Sequence, residues 1–123
     1  IGFQIEATTA IDAASGLPVM LVYWFAYAPD GNTQSWIYGQ GTYNPTSNTV
    51  TLPAAITSGA RFPPNFNHDD INAVAWGTLT FTFSDCNNGT ASWNSTVPGY
   101  GSGSMAITRL TQIAGTTCPG AAP

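Results

Sequence analysis

Lysine is absent from this chain, and its two cationic side chains, Arg61 and Arg109, stand against six acids. Charged residues make up 7% of the sequence and the net charge is −4. A chain so short of cations has little with which to displace counterions from phosphates, so no nucleic-acid partner is expected. An anionic membrane surface is disfavoured for the same reason. Long hydrophobic runs are missing too: the longest, Leu17–Ala28, has twelve residues where a membrane helix needs about twenty, so no membrane insertion is expected. Histidine occurs once, at His68, too few imidazoles for a zinc centre without several further ligands. No basic segment precedes Ile1, so any secretion signal has been removed or lies outside this sequence. Helical periodicity is nearly absent, with only Thr9–Ser15 and Ala54–Ser58 offering a turn or two.

What the chain does contain is apolar and aromatic. Apolar residues reach 43% and aromatics 12% of 123 positions, which excludes a disordered segment and fits one domain with one core. That domain is read over residues 1–118, with a tail at Pro119–Pro123. Alternation dominates. From Trp76 to Asp85, Leu79, Phe81 and Phe83 share one face while Thr78, Thr80 and Thr82 share the other, the pattern of a strand with one buried side. Phe3 and Ile5 alternate with Gln4 and Glu6 in the same way. Val19–Ala28 is apolar on both faces, so it is expected to be a strand covered on both sides or one whose outer face meets a partner. Pro29-Asp30-Gly31 supplies hairpin chemistry leading into Gln34–Tyr43.

A short strand follows at Thr49–Leu52, then a long ordered loop at Pro53–Asn72, then strands at Thr90–Ser95 and Ser104–Ile113. The fold class is therefore all-β: an antiparallel meander of about seven or eight strands, closing as a barrel or a two-sheet sandwich. Two cysteines permit a single intramolecular pairing, Cys86 with Cys118, and a hydroxyl-rich, lysine-free composition favours an oxidising compartment and hence a disulfide. One buried and one exposed thiol is the rival reading.

Taken in order, Gly2-Phe3-x-Ile5-Glu6, Tyr23-Trp24-Phe25-x-Tyr27-x-x-Asp30-Gly31 with Trp36, WGTLTFTFSDCNNGT and GSGSMAITRLTQIAG give a pattern spanning nearly the whole chain. It resembles an uncharacterised all-β domain common in secreted bacterial proteins. The resemblance implies a secreted, extracellular or cell-surface module with no established reaction. Members of that family carry an aromatic Trp-Tyr-x-Pro-like segment ahead of the Gly-Phe pair, which this chain lacks. Either the fragment starts inside the domain or its first strand is short.

Chemistry-bearing residues are few. His68-Asp69-Asp70 is the one place where a base sits beside carboxylates, but a triad needs an oriented nucleophile and a metal hydrolase needs more ligands. No catalytic residue, metal or cofactor is expected, and the protein is read as a non-enzyme. Asp30-x-Asn32, Asp69-Asp70 and Asp85-x-Asn87 each offer oxygens but not a full calcium loop. Glu6 and Arg109 lie within expected strands and are candidates for a structural ion pair; independent exposed side chains are the alternative. Asn88 and Asn94 head glycosylation acceptor triplets.

The functional signal is aromatic. Trp24, Trp36, Tyr23, Tyr27 and Tyr38 of one hairpin are the candidate binding residues, because outward Trp and Tyr anchor protein interfaces and stack on sugar rings. The expected function is a non-catalytic structural or interaction domain of an extracellular cell-surface, filament or matrix assembly. Its partners are other protein chains, copies of itself among them. A carbohydrate-binding module acting on polysaccharide is the alternative.

Overall fold

The computed structural model describes residues 1–118, so the tail at 119–123 lies outside the described residues. Seven strands form one antiparallel sheet in strict chain order: β1 (Gly2–Ile11), β2 (Pro18–Tyr27), β3 (Gln34–Thr42), β4 (Thr49–Ser58), β5 (Asn72–Phe83), β6 (Asn88–Ser95) and β7 (Ser102–Thr108). This is the expected meander. Its closure is barrel-like but incomplete: the sheet curls so that inward side chains of β1 and β2 meet those of β5 and β6. Phe3 lies edge-on to Phe81 at 5.3 Å and Trp24 sits 5.2 Å from Trp93. One curled sheet thus encloses its own core, and no second layer is needed.

Alternation assigns that core. Met20, Val22 and Trp24 from β2, Ile37 from β3, Val50, Leu52 and Ala54 from β4, Trp76, Leu79 and Phe81 from β5, and Ala91 from β6 form one buried cluster. Trp76 and Leu79 both face inward although three positions separate them, which strict period 2 forbids. A bulge resolves this: Ala54 pairs with Gly77 and Ala55 with Ala75, leaving Trp76 as the extra residue. Gly77 makes the bulge possible, since its φ is +145° and an added Cβ would run into the backbone carbonyl of Asn94. The displaced Trp76 carbonyl accepts hydrogen bonds from the Ser95 hydroxyl (2.7 Å) and the Thr96 amide (2.8 Å).

Several local expectations change. The short strand at Thr49–Leu52 continues to Ser58, because Ala54 and Ile56 extend the inward alternation. The residues read as a possible helical turn and as the start of a long loop are therefore strand, and the loop shortens to 59–71. Thr9 to Ile11 likewise continue β1 rather than coil into a turn. The last strand ends at Thr108, where the Arg109 amide donates to the Asn87 carbonyl at 2.7 Å. The disulfide is present: Cys86, just past β5, is bonded to Cys118, with Cα atoms 5.7 Å apart, which fits an oxidising compartment. No helix of the described residues is long and apolar enough to cross a membrane.

Candidate functional site

The β2–β3 hairpin divides its aromatics by parity. Even positions of β2 point inward and odd positions outward, while β3 pairs Tyr23 with Tyr38, Phe25 with Trp36 and Tyr27 with Gln34. Its turn is fixed by Asp30, whose carboxylate accepts from the backbone N–H groups of Asn32 (2.9 Å) and Thr33 (3.0 Å) and from the Thr33 hydroxyl. Those bonds hold the Asp30 carboxyl below its ordinary pKa. Pro29 and Gly31, the latter with φ +75°, complete the reversal.

Five rings consequently share the outer face: Tyr23, Phe25 and Tyr27 on β2, and Trp36 and Tyr38 on β3. Trp36 is 65% exposed, Tyr27 62%, and Tyr23 and Phe25 41% each. Rows run across three strands, because Gln4 of β1 lies opposite Tyr23 and Gly2 opposite Phe25. The Tyr38 hydroxyl donates to the amide oxygen of Gln40. Desolvation, then the neighbouring Tyr23, push its phenol above the usual value, so it is a neutral donor near pH 7. Across β2 and β3 the outer face carries no charge.

Ring orientation shapes this face. Phe25 and Trp36 are 5.6 Å apart and nearly perpendicular, at 83°, and Tyr23 and Tyr38 are 5.5 Å apart at 42°. The surface is corrugated. A cleft of about 260 Å³ lies at its end, lined by Phe25, Tyr27, Gln34 and Trp36 among others; it is smaller than the roughly 300–1,000 Å³ of sites that enclose a drug-sized molecule.

Trp24 does not belong to this face. It is 6% exposed, stacks on Phe3 at 4.7 Å and meets Trp76 edge-on at 6.0 Å and 81°. Its even position in β2 decides this, so the expectation that Trp24 is a binding residue is corrected: it is core. Phe25, which sequence reasoning passed over, takes its place outside. Parity was the available clue, since Tyr23, Phe25 and Tyr27 must share a face and Trp24 must oppose them.

A second cleft, about 300 Å³, opens at the end of the curled sheet, lined by Trp24, Tyr27, Ile37, Trp76, Trp93 and Tyr100 among others. Its rim is fixed by the contact between the Ser35 and Tyr100 hydroxyls at 2.8 Å. The indole N–H groups of Trp24 and Trp76 have no hydrogen-bond partner and are sealed from solvent, so they present no donor to that cleft.

The remaining candidates are scattered. His68, Asp69 and Asp70 form a single 3-10 turn in the 59–71 loop, capped by Asn67. His68 approaches Asp69 at 3.8 Å with both side chains about nine-tenths exposed. Asp85 caps its turn by accepting from the Asn87 and Asn88 amides at 2.7 and 2.9 Å, and Asn88 also directs its side chain to Asp85. These bonds lower the Asp85 carboxyl below its usual value. Asn94 is exposed on the outer face of β6. Among the described residues no three His, Cys, Asp or Glu side chains cluster to hold a metal.

Glu6 and Arg109 form no ion pair. The only one among the described residues is His68 with Asp69. Glu6 lies on β1 and Arg109 directly after β7, at opposite borders of an open sheet, and both are exposed. That corrects the expected pairing: incomplete closure keeps the two borders apart.

No protein-family model matches the chain, and neither does any curated protein or solved structure.

Proposed function

We propose that this is a non-catalytic, secreted contact domain, a subunit or module of an extracellular cell-surface, filament or matrix assembly that packs its β2–β3 outer face against other protein chains, copies of itself included. The observation that carries the reading is the charge-free stripe of Tyr23, Phe25, Tyr27, Trp36 and Tyr38, with Trp36 and Tyr27 more than three-fifths exposed. Cross-strand aromatic pairing stabilises a hairpin by only about 0.2–1 kcal/mol per pair. An aromatic anchor buried at an interface is worth about 2 kcal/mol or more. Contact with a partner is therefore the larger gain available to these rings.

Carbohydrate binding is the second reading, favoured by one observation: Gln34 lines the same cleft as Tyr27 and Trp36, the pairing of ring and hydrogen-bonding residue that a sugar uses. The perpendicular rings weigh against it. Sedimentation velocity and negative-stain imaging of the native material, run beside retention on insoluble polysaccharide, separate the two. Concentration-dependent assemblies support the contact domain, whereas a monomer held on polysaccharide supports the module.

A further inference from the structure

The sheet has two unpartnered borders. Among the described residues nothing pairs with the outer edge of β1 or of β7, and no Cα of one lies within 8 Å of the other, while paired strands sit about 4.8 Å apart. Each border therefore presents a row of free backbone donors and acceptors. The devices that usually blunt such edges are missing from β7, which has no charge, proline or bulge. β1 is regular from Gly2 to Ala7, and its register shifts only beyond that point.

We infer that β7 of one copy pairs with β1 of the next copy of this chain, joining the sheets side by side. Three features select this occupant and its register. A meander of seven strands makes β1 and β7 parallel, so parallel joining sets every copy in the same orientation and repeats without end. In that direction Met105 falls opposite Phe3 and Ile107 opposite Ile5, so the half-buried inward residues of both borders cover one another. The same register sets Thr108 opposite Glu6 and Arg109 opposite Ala7; Arg109 lies past the end of β7 and is exposed, so its long side chain is free to turn round the strand end to the Glu6 carboxylate on the other face. Glu6 is the only charge on β1 and Arg109 the only one from 102 to 118. The antiparallel register that matches the apolar pairs instead sets Ser104 opposite Glu6 and carries Arg109 away. Joining β1 to β1 would set Glu6 opposite Gly2 when Phe3 faces Ile5, leaving the carboxylate without a cation and the β7 border uncovered.

This inference goes beyond the aromatic face but rests on reading the chain as an assembly subunit, so its test uses a different surface. Glu6→Cys chains are mixed with Thr108→Cys chains and oxidised gently; both sites are exposed and both native cysteines are already bonded. The mixed disulfide dimer is expected to exceed either homodimer severalfold and to exceed the product of Glu6→Cys with Ser104→Cys. Either Glu6→Arg or Arg109→Glu alone should lower association at this edge by about two- to fivefold, the range of an exposed ion pair, and the double reversal should restore it. Homodimers as abundant as the mixed dimer, monomer alone, or no rescue by the double reversal would overturn the inference. The same mixture in a Trp36→Ala background should keep its yield, so failure of the aromatic face and failure of the edges give different results.

Discussion

Two stretches of one outer surface obey the same alternation and end with opposite chemistry. On β2 and β3 the outward positions are Tyr23, Phe25, Tyr27, Trp36 and Tyr38. On β4 and β5 threonine predominates, at Thr49, Thr51, Thr78, Thr80 and Thr82 beside Pro53, with the Thr49–Thr82 and Thr51–Thr80 hydroxyls 3.2 and 3.0 Å apart. Threonine suits a strand whose outer face meets water: its branched Cβ favours the extended backbone and its hydroxyl is satisfied by a neighbour or by solvent. The aromatic stretch gains strand propensity and cross-strand pairing too, but leaves large apolar rings in water. Both stretches cover the same core, so the difference between them is not a requirement of folding, and it is the ground on which the aromatic half is proposed as the contact surface.

The sharpest test of that division compares two tryptophans in one hairpin. Trp24→Ala removes a core ring and should lower stability by about 3–5 kcal/mol, whereas Trp36→Ala loses only its cross-strand pair with Phe25 and should cost no more than about 1 kcal/mol. Denaturant unfolding followed by far-UV circular dichroism measures both. Equal losses would erase the distinction between inner and outer rings.

Next in size is the covalent tie, which lies in the hydroxyl half. Cys86 and Cys118 are 32 positions apart, and opening that loop should cost about 3–4 kcal/mol by the chain-entropy model. In a Cys86→Ser, Cys118→Ser variant, amide exchange should rise first in β6 and β7 and later in β2 and β3. Uniform acceleration would show that the two halves do not differ in this respect.

The smallest effect belongs to the hydroxyl pairs. Replacing Thr51 and Thr80 together by Val should move stability by about 0.5 kcal/mol or less and leave association unchanged. Lost association in that variant would assign the contact to the wrong half.

Much of this was legible in the sequence. The Leu79-x-Phe81-x-Phe83 alternation, the Asp30-Gly31 turn and the lone cysteine pair lead directly to the meander, the hairpin and the disulfide. Other features were hidden for physical reasons. The bulge at Trp76 breaks the period within a single strand, and only its cross-strand partners reveal it. β4 runs through Pro53, a residue that argues against a strand, because Pro53 faces outward opposite Thr78 while Leu52 and Ala54 hold the core. Glu6 and Arg109 were recognised as the charges that need explanation, but their separation depends on how far the sheet closes, a global property that no local pattern carries. Trp24 is a different case: the rule that period 2 sets it against Tyr23 and Tyr27 was present in the sequence and outweighed by residue type.

The central claim is that the outward rings of β2 and β3 make the contact. Sedimentation velocity across a concentration series of wild type, Trp36→Ala and Tyr27→Ala tests it most directly. Concentration-dependent assembly of the wild type, weakened by about thirtyfold in either variant with the fold retained, is the predicted result, corresponding to about 2 kcal/mol. A wild type that stays monomeric throughout, or assemblies that both variants form as readily, would contradict it.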